Sequence, residues 1–148
     1  MITFNMKILL TGGAGYIGSH VLLSILEKKY KVVVVDDLST GNINLIPEGI
    51  QHIKCNINEK EKVSNIIQTE KFDILLHFAG FIKVEESVQN PSKYFNNNTE
   101  NAITLFETCY ENNVRNIIFS STAAAYGNPS SNTQSKKIQF ESFKSLWT

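Results

Sequence analysis

The run Lys7-Ile8-Leu9-Leu10-Thr11-Gly12-Gly13-Ala14-Gly15-Tyr16-Ile17-Gly18-Ser19-His20 has the residue types and spacing of a phosphate cradle. A short apolar strand feeds a glycine-rich turn, and the turn feeds a helix. Such a backbone presents bare N–H groups and the positive end of a helix dipole to a pyrophosphate. Two registers fit. Gly13, Gly15 and Gly18 match G-x-G-x-x-G, whereas Gly12, Gly15 and Gly18 match G-x-x-G-x-x-G. Glycine clusters also mark ordinary turns. Here the flanking strand and helix favour dinucleotide binding, as does Asp36 at the end of the next strand, near the spacing of a ribose-binding carboxylate. Asp36 can accept hydrogen bonds from both hydroxyls of an adenosine ribose. A 2′-phosphate beside Asp36-Asp37 would meet repulsion of roughly 4 kcal/mol per charge pair at an effective dielectric of about 20. With no arginine adjacent, the pair favours NAD over NADP.

Other strand ends carry further candidates. His77-Phe78-Ala79-Gly80 forms a narrow apolar ledge where backbone can pass beneath a nicotinamide or its ribose. His77 reads as a core residue satisfied by hydrogen bonds rather than as a base, and His20 and His52 stand isolated on a helix and a strand. Glu85 and Glu86 fit a solvated loop as well as an acid–base pair. Ser120-Ser121-Thr122 places hydroxyls at a fifth strand end, where they could bond a substrate alcohol or simply cap the strand.

These positions require strands and helices in alternation, which predicts an α/β fold with a parallel sheet covered on both faces. The predicted strands are residues 8–10, 31–35, 50–55, 74–77 and 116–120. The predicted helices are 17–28, with Ile17, Val21, Leu22, Ile25 and Leu26 on one face, then 59–68 opened by Asn58 as N-cap, and 92–112. Phe95, Ala102, Leu105, Phe106 and Cys109 are the core candidates of the last helix, and 38–49 reads as a loop. From Pro129 to Thr148 the chain turns rich in Ser, Asn, Gln and Lys. A poorly ordered tail is the favoured reading there, over a short helix bearing Phe140, Phe143, Leu146 and Trp147.

The 148 residues suffice for one core, and 42% hydrophobic with 19% charged residues describes a soluble globular chain. A formal charge of zero gives no basic patch, which argues against a nucleic-acid partner. No apolar run is long enough to span a bilayer, and the start is unlike a signal peptide, so no membrane partner and a cytoplasmic location are expected. Cys55 and Cys109 show no metal-ligand spacing and read as buried free thiols; no metal site is expected.

Four blocks carry a closer likeness: Thr11–His20 (TGGAGYIGSH), 33–41 (VVVDDLSTG), 77–88 (HFAGFIKVEESV) and 118–127 (IFSSTAAAYG), joined by Pro91, Tyr94 and Asn96-Asn97. Together the chain resembles the N-terminal part of the extended short-chain dehydrogenase/reductase family, most closely its UDP-glucose 4-epimerase (UDP-galactose 4-epimerase) branch. The resemblance implies a doubly wound, Rossmann-like parallel sheet, NAD as cofactor, a UDP-sugar as substrate and, in full-length members, a possible homodimer. It implies that Tyr16 and Ile17 bring backbone N–H groups to the pyrophosphate beside Gly12, Gly15 and Gly18. Asp36 and Asp37 then hold the adenosine ribose, with Leu38, Ser39, Thr40 and Gly41 closing over it. Asn56 and Ile57 edge the adenine. Phe78, Ala79, Gly80, Phe81 and Ile82 line the nicotinamide half, supported by Asn97. Thr122 stands where the family has a hydroxyl that bonds the sugar's 4-hydroxyl. Asn56 replaces a frequent Asp, and Ile82 replaces a Lys found in some members.

In that family a Tyr with a Lys four residues on takes the sugar's 4-hydroxyl proton while hydride passes to NAD. Tyr16, Tyr30, Tyr94, Tyr110 and Tyr126 are followed at that distance by His20, Val34, Asn98, Val114 and Ser130. The expectation is therefore a partial nucleotide-binding domain over 1–128, a divergent tail over 129–148, no substrate domain, and a sheet left incomplete at its C-terminal side. Such a truncated chain is expected to be inactive alone. A different nucleotide-sugar epimerase or dehydratase, or a non-catalytic NAD-binding module, are the alternatives.

Overall fold

A computed structural model describes residues 6–122. Alternating apolar residues decide where its chain runs. In β1 (Lys7–Thr11), Ile8 and Leu10 face one side of the sheet and Leu9 the other. In β2 (Lys31–Asp36), Val32 and Val34 oppose Val33 and Val35 in the same way. Strands buried on both faces must be covered by helices on both. One face takes α1 (Tyr16–Glu27), whose Leu22 and Ile25 pack on Ile8, Leu10, Val32 and Val34. The other takes α2 (Lys60–Glu70) and α5 (Asn101–Glu111), whose Val63, Ile67, Leu105 and Cys109 pack on Leu9, Val33 and Leu75. Each of these buried aliphatic side chains contributes about 1.5–3 kcal/mol of transfer free energy.

With β3 (His52–Lys54), β4 (Ile74–His77) and β5 (Asn116–Phe119), the sheet has five strands in the order β3-β2-β1-β4-β5, all paired in parallel. The chain runs outward from β1 through β2 to β3, then crosses to β4 on the opposite flank of β1. The order therefore reverses between β1 and β4, and a crevice opens at their carboxyl ends. β5 lies at the sheet edge among the described residues, and all four of its residues are exposed. On the α1 side an apolar groove of about 440 Å³ runs between Ile17, Val21 and Ile25 of α1 and Leu76 and Ile118 of the sheet.

Several sequence-predicted elements shift. The third strand is only three residues long. The second helix starts at Lys60, and Asn58 does not cap it. The Glu59 carboxylate instead turns back to the Asn56 N–H at 2.7 Å, while the Asn58 N–H bonds Asn56 Oδ1 at 3.1 Å. The 38–49 loop contains a 3₁₀ turn, Ile43–Leu45, capped by the Asn42 side chain. Glu85 and Glu86 lie not in a loop but on α3 (Val84–Gln89). The long helix begins one residue early, as α4 (Pro91–Phe95) capped by Asn90, and passes through a π-helical stretch, Asn96–Glu100, into α5. That wider turn rotates the helix face, so Phe95 is 58% exposed rather than in the core. Ile17, at the open end of the α1 face, is likewise 57% exposed. The 129–148 tail lies outside the described residues.

Candidate nucleotide-binding cleft

The cleft sits at the reversal between β1 and β4. Its floor is the glycine turn, in which a Cβ at Gly12 would strike main chain and one at Gly13 would stand 2.7 Å from the Val34 side chain. Gly12 has φ +74°, and a Cβ on it would lie 2.4 Å from the backbone nitrogen of Ala79. The turn therefore passes hard against the end of β4, where only a residue without a side chain fits. Gly18 is the second close approach: its Cβ would stand 2.1 Å from the Gly12 carbonyl oxygen. That contact seats α1 on the turn. The Gly15 N–H bonds the Gly12 carbonyl at 3.1 Å, and Gly15 is the N-cap of α1. No side chain caps this helix and its first turn holds no acidic residue. The unpaired first-turn amides, those of Tyr16 and Ile17 included, keep their positive partial charge for an anion. The Tyr16 side chain itself is 79% exposed.

Asp36, at the end of β2, is 9% exposed. Its Oδ2 accepts the Ala14 N–H at 3.0 Å and its Oδ1 accepts the Leu38 N–H at 2.9 Å. One carboxylate thus ties the glycine turn to the loop that follows β2. That loop is drawn down further by a bond from the Asn42 N–H to the Ala14 carbonyl at 2.9 Å. Ser39, Thr40 and Gly41 line the cleft as a result, whereas Leu38 sits at φ +61° outside the lining. Asp37 and Asn56 face each other across the same wall: Asn56 Nδ2 donates to Asp37 Oδ2 at 2.7 Å. The Asp37 carboxyl lies below its ordinary range. Burial alone would raise it, but hydrogen bonds from Ser39 and Asn56 and the Lys54 charge more than offset that. Ile57 and Cys55 close the wall behind them, and burial pushes the Cys55 thiol up to about 11.

The opposite wall is Phe78, Ala79, Gly80 and Phe81, with Asn97 facing them from the π-helical stretch. Ile82 is 88% exposed and outside the lining. His77 lies beneath this wall as a buried residue, its Nδ1 2.6 Å from Thr11 Oγ1 and its ring stacked on Phe119. Burial lowers its pKa to about 4, which keeps it neutral and unsuited to act as a base. Asn98 is a residue that sequence reasoning passes over. Its Oδ1 accepts the Phe81 N–H and its Nδ2 donates to the Phe81 carbonyl, both at 2.8 Å, as a neighbouring strand would. Asn97 Nδ2 braces that oxygen at 2.9 Å. The signal is three consecutive asparagines in a helical stretch, a poor helix-forming run consistent with a side-chain role.

Thr122 is exposed and lies past β5, outside the cleft lining. The cleft thus gathers the glycine turn, Asp36, Asp37, the 39–41 loop, Asn56, Ile57 and the Phe78–Phe81 segment, but not Thr122.

Residues 8–147 match the NAD dependent epimerase/dehydratase family. The chain is 42% identical over 125 residues to a UDP-glucose 4-epimerase of Azospirillum brasilense, covering 84% of this chain and 36% of the relative. It is 41% identical over 131 residues to UDP-arabinose 4-epimerase 1 of Arabidopsis thaliana, covering 82% of this chain and 31% of the relative. Its fold superposes on the UDP-glucose 4-epimerase of Thermus thermophilus, solved in complex with NAD, with a TM-score of 0.82 and 31% identity. That match covers 89% of this chain and 43% of the other. The chain spans about a third of the length of the curated relatives it matches. With a parallel sheet that reverses at the glycine turn and a family match along nearly its whole length, this chain belongs to the NAD dependent epimerase/dehydratase family.

Proposed function

We propose that these 148 residues are the NAD-binding portion of a UDP-hexose 4-epimerase. The observation that carries this is the bond between Asp36 and Ala14, which joins a ribose-binding carboxylate to an uncapped helix turn in one cleft. The cleft fits the cofactor. The turn leaves no room for a Cβ at Gly12 or Gly18, so main chain can reach a diphosphate. In this reading the amides of Tyr16 and Ile17 hold the diphosphate, and Asp36 takes the adenosine ribose hydroxyls. Asp37 stands beside them, and Ser39, Thr40 and Gly41 cover the ribose. Asn56 and Ile57 edge the adenine. Phe78 to Phe81 and Asn97 flank the nicotinamide end and exclude water from it.

Bound NAD supplies a hydride acceptor that can return the hydride to the other face of a sugar carbon. Thr122 is assigned to hydrogen-bond the sugar's 4-hydroxyl. No tyrosine in these 148 residues has a lysine four positions on, so the isolated chain is expected to bind NAD with little or no turnover. The UDP-arabinose 4-epimerase relative, at nearly the same identity, favours a second reading in which the sugar is a pentose. UDP-sugar recognition, cytoplasmic location and any homodimer belong to the whole protein and rest on the family.

Titration calorimetry of the folded chain with NAD and NADH tests the binding. Saturable heat at one site per chain is expected, and no heat from either nucleotide overturns the reading. A coupled assay of UDP-glucose and UDP-galactose interconversion tests the second part. Turnover at the rate of a complete epimerase overturns the assignment of these residues as a cofactor portion alone.

A further inference from the structure

At the adenosine end of the cleft, the Asp37 carboxylate has both oxygens engaged. Oδ1 accepts the Ser39 N–H at 2.8 Å, and Oδ2 accepts Asn56 Nδ2 at 2.7 Å. Asn56 is itself held on every side. Its Oδ1 accepts the Asn58 N–H at 3.1 Å, and its own N–H donates to Glu59 Oε1 at 2.7 Å. The contact therefore links the loop after β2 to the turn after β3. An aspartate at position 56 could not make it: a carboxylate has no donor, and two carboxylates at that distance would repel.

We infer that Asn56 is a positioning residue for cofactor specificity, whose amide fixes the Asp37 carboxylate on the cleft wall so that a dinucleotide bearing a 2′-phosphate is rejected. The inference rests on the reading of the cleft as an NAD site. Asp37 lies on a half-exposed loop, and the charge of a carboxylate free to swing into water is screened by that water and yields to an incoming phosphate. Held by Ser39 and Asn56, it cannot turn away, and its charge stays with that of Asp36 in the lining of one cleft. The low titration of Asp37 agrees with this, because the same bonds favour its ionised form.

The test is calorimetric titration of the whole chain with NAD and with NADP at about pH 7.5, in the wild type, Asn56→Ala, Asp37→Asn and the double variant. The wild type is expected to prefer NAD. In Asn56→Ala the NAD-to-NADP preference is expected to narrow by about two- to fivefold, the scale of one partly exposed charge contact. Asp37→Asn should narrow it at least as far. The double variant should match Asp37→Asn, because Asn56 acts through Asp37. A wild-type ratio in Asn56→Ala, or additive effects in the double variant, overturns the inference. Should Asn56→Ala not melt cooperatively, an unchanged ratio in Asp37→Asn overturns it equally. A wild type that binds neither nucleotide defeats the NAD reading instead, which separates the two failures.

Discussion

The carboxylate of Asp36 reaches across from the end of β2 to accept the backbone N–H of Ala14 at 3.0 Å, inside the glycine turn that follows β1. The residue expected to grip a ribose therefore also shapes the loop expected to hold the diphosphate. Two functions depend on one side chain, and they should fail together.

Asp36→Asn tests that dependence. An amide can still accept one of the two N–H groups, but its NH₂ must then face the other. The substitution is expected to cost about 2 kcal/mol of stability, the scale of a buried backbone donor left unpaired. NAD affinity should fall by about tenfold or more, since a carboxylate–hydroxyl bond is charge-assisted. Thermal melting and calorimetry on the same preparation check both. Loss of affinity at wild-type stability would separate the two roles, and a variant unchanged in both would refute them.

Gly18→Ala probes the seat of α1 on the turn. The added methyl would fall 2.1 Å from the Gly12 carbonyl oxygen, and that atom is main chain, so it cannot swing aside. A loss of about 2 kcal/mol or more is expected in urea denaturation, with dinucleotide binding weakened because the turn must move. Wild-type stability would mean that the helix can slide without cost.

His77 sets a pH dependence. Its folded pKa, about 4, lies below the ordinary 6.5, so the unfolded chain takes up the proton first on acidification. The stability it secures is complete above 6.5 and is lost as pH falls from there toward 4, by about 3 kcal/mol in all. Carboxylates such as Glu70, held below its usual value chiefly by its bond from Lys7, lose their contribution only at lower pH. Melting followed from about pH 7.5 to about pH 4.5 should therefore show a slope that His77→Gln removes, Gln retaining a partner for Thr11. An equal slope in that variant would place the pH dependence elsewhere.

Asn98→Ala should loosen the wall next to the nicotinamide end. Phe81 would lose the partners of both its N–H and its carbonyl, each now bonded at 2.8 Å. Faster hydrogen exchange at residues 80–82 is expected, with about 1–3 kcal/mol of lost stability and weaker NAD binding. Asn98→Asp should exchange at an intermediate rate, since it keeps the acceptor for the Phe81 N–H and loses only the donor. Unchanged protection in the alanine variant would mean that the segment is held by other contacts.

The local chemistry of this chain was legible in its letters. A β-branched run such as Val32–Val35 reads as a buried strand, the glycines at 12 and 18 stand where side chains do not fit, and Asp36 after such a strand falls at a sheet's carboxyl edge. These signals depend on neighbours in sequence, so periodicity and residue type expose them. Three things lay beyond that reach. Gly12 has no room for a side chain because the backbone at the end of β4 passes beside it, and β4 is far away in sequence. Asn98, not only Asn97, serves the cleft because a π-helical turn brings its amide to Phe81. Asn56 holds Asp37 because the sheet order sets β3 beside β2. Each is a contact between distant segments, and such contacts form only when packing of the whole core brings their backbones together.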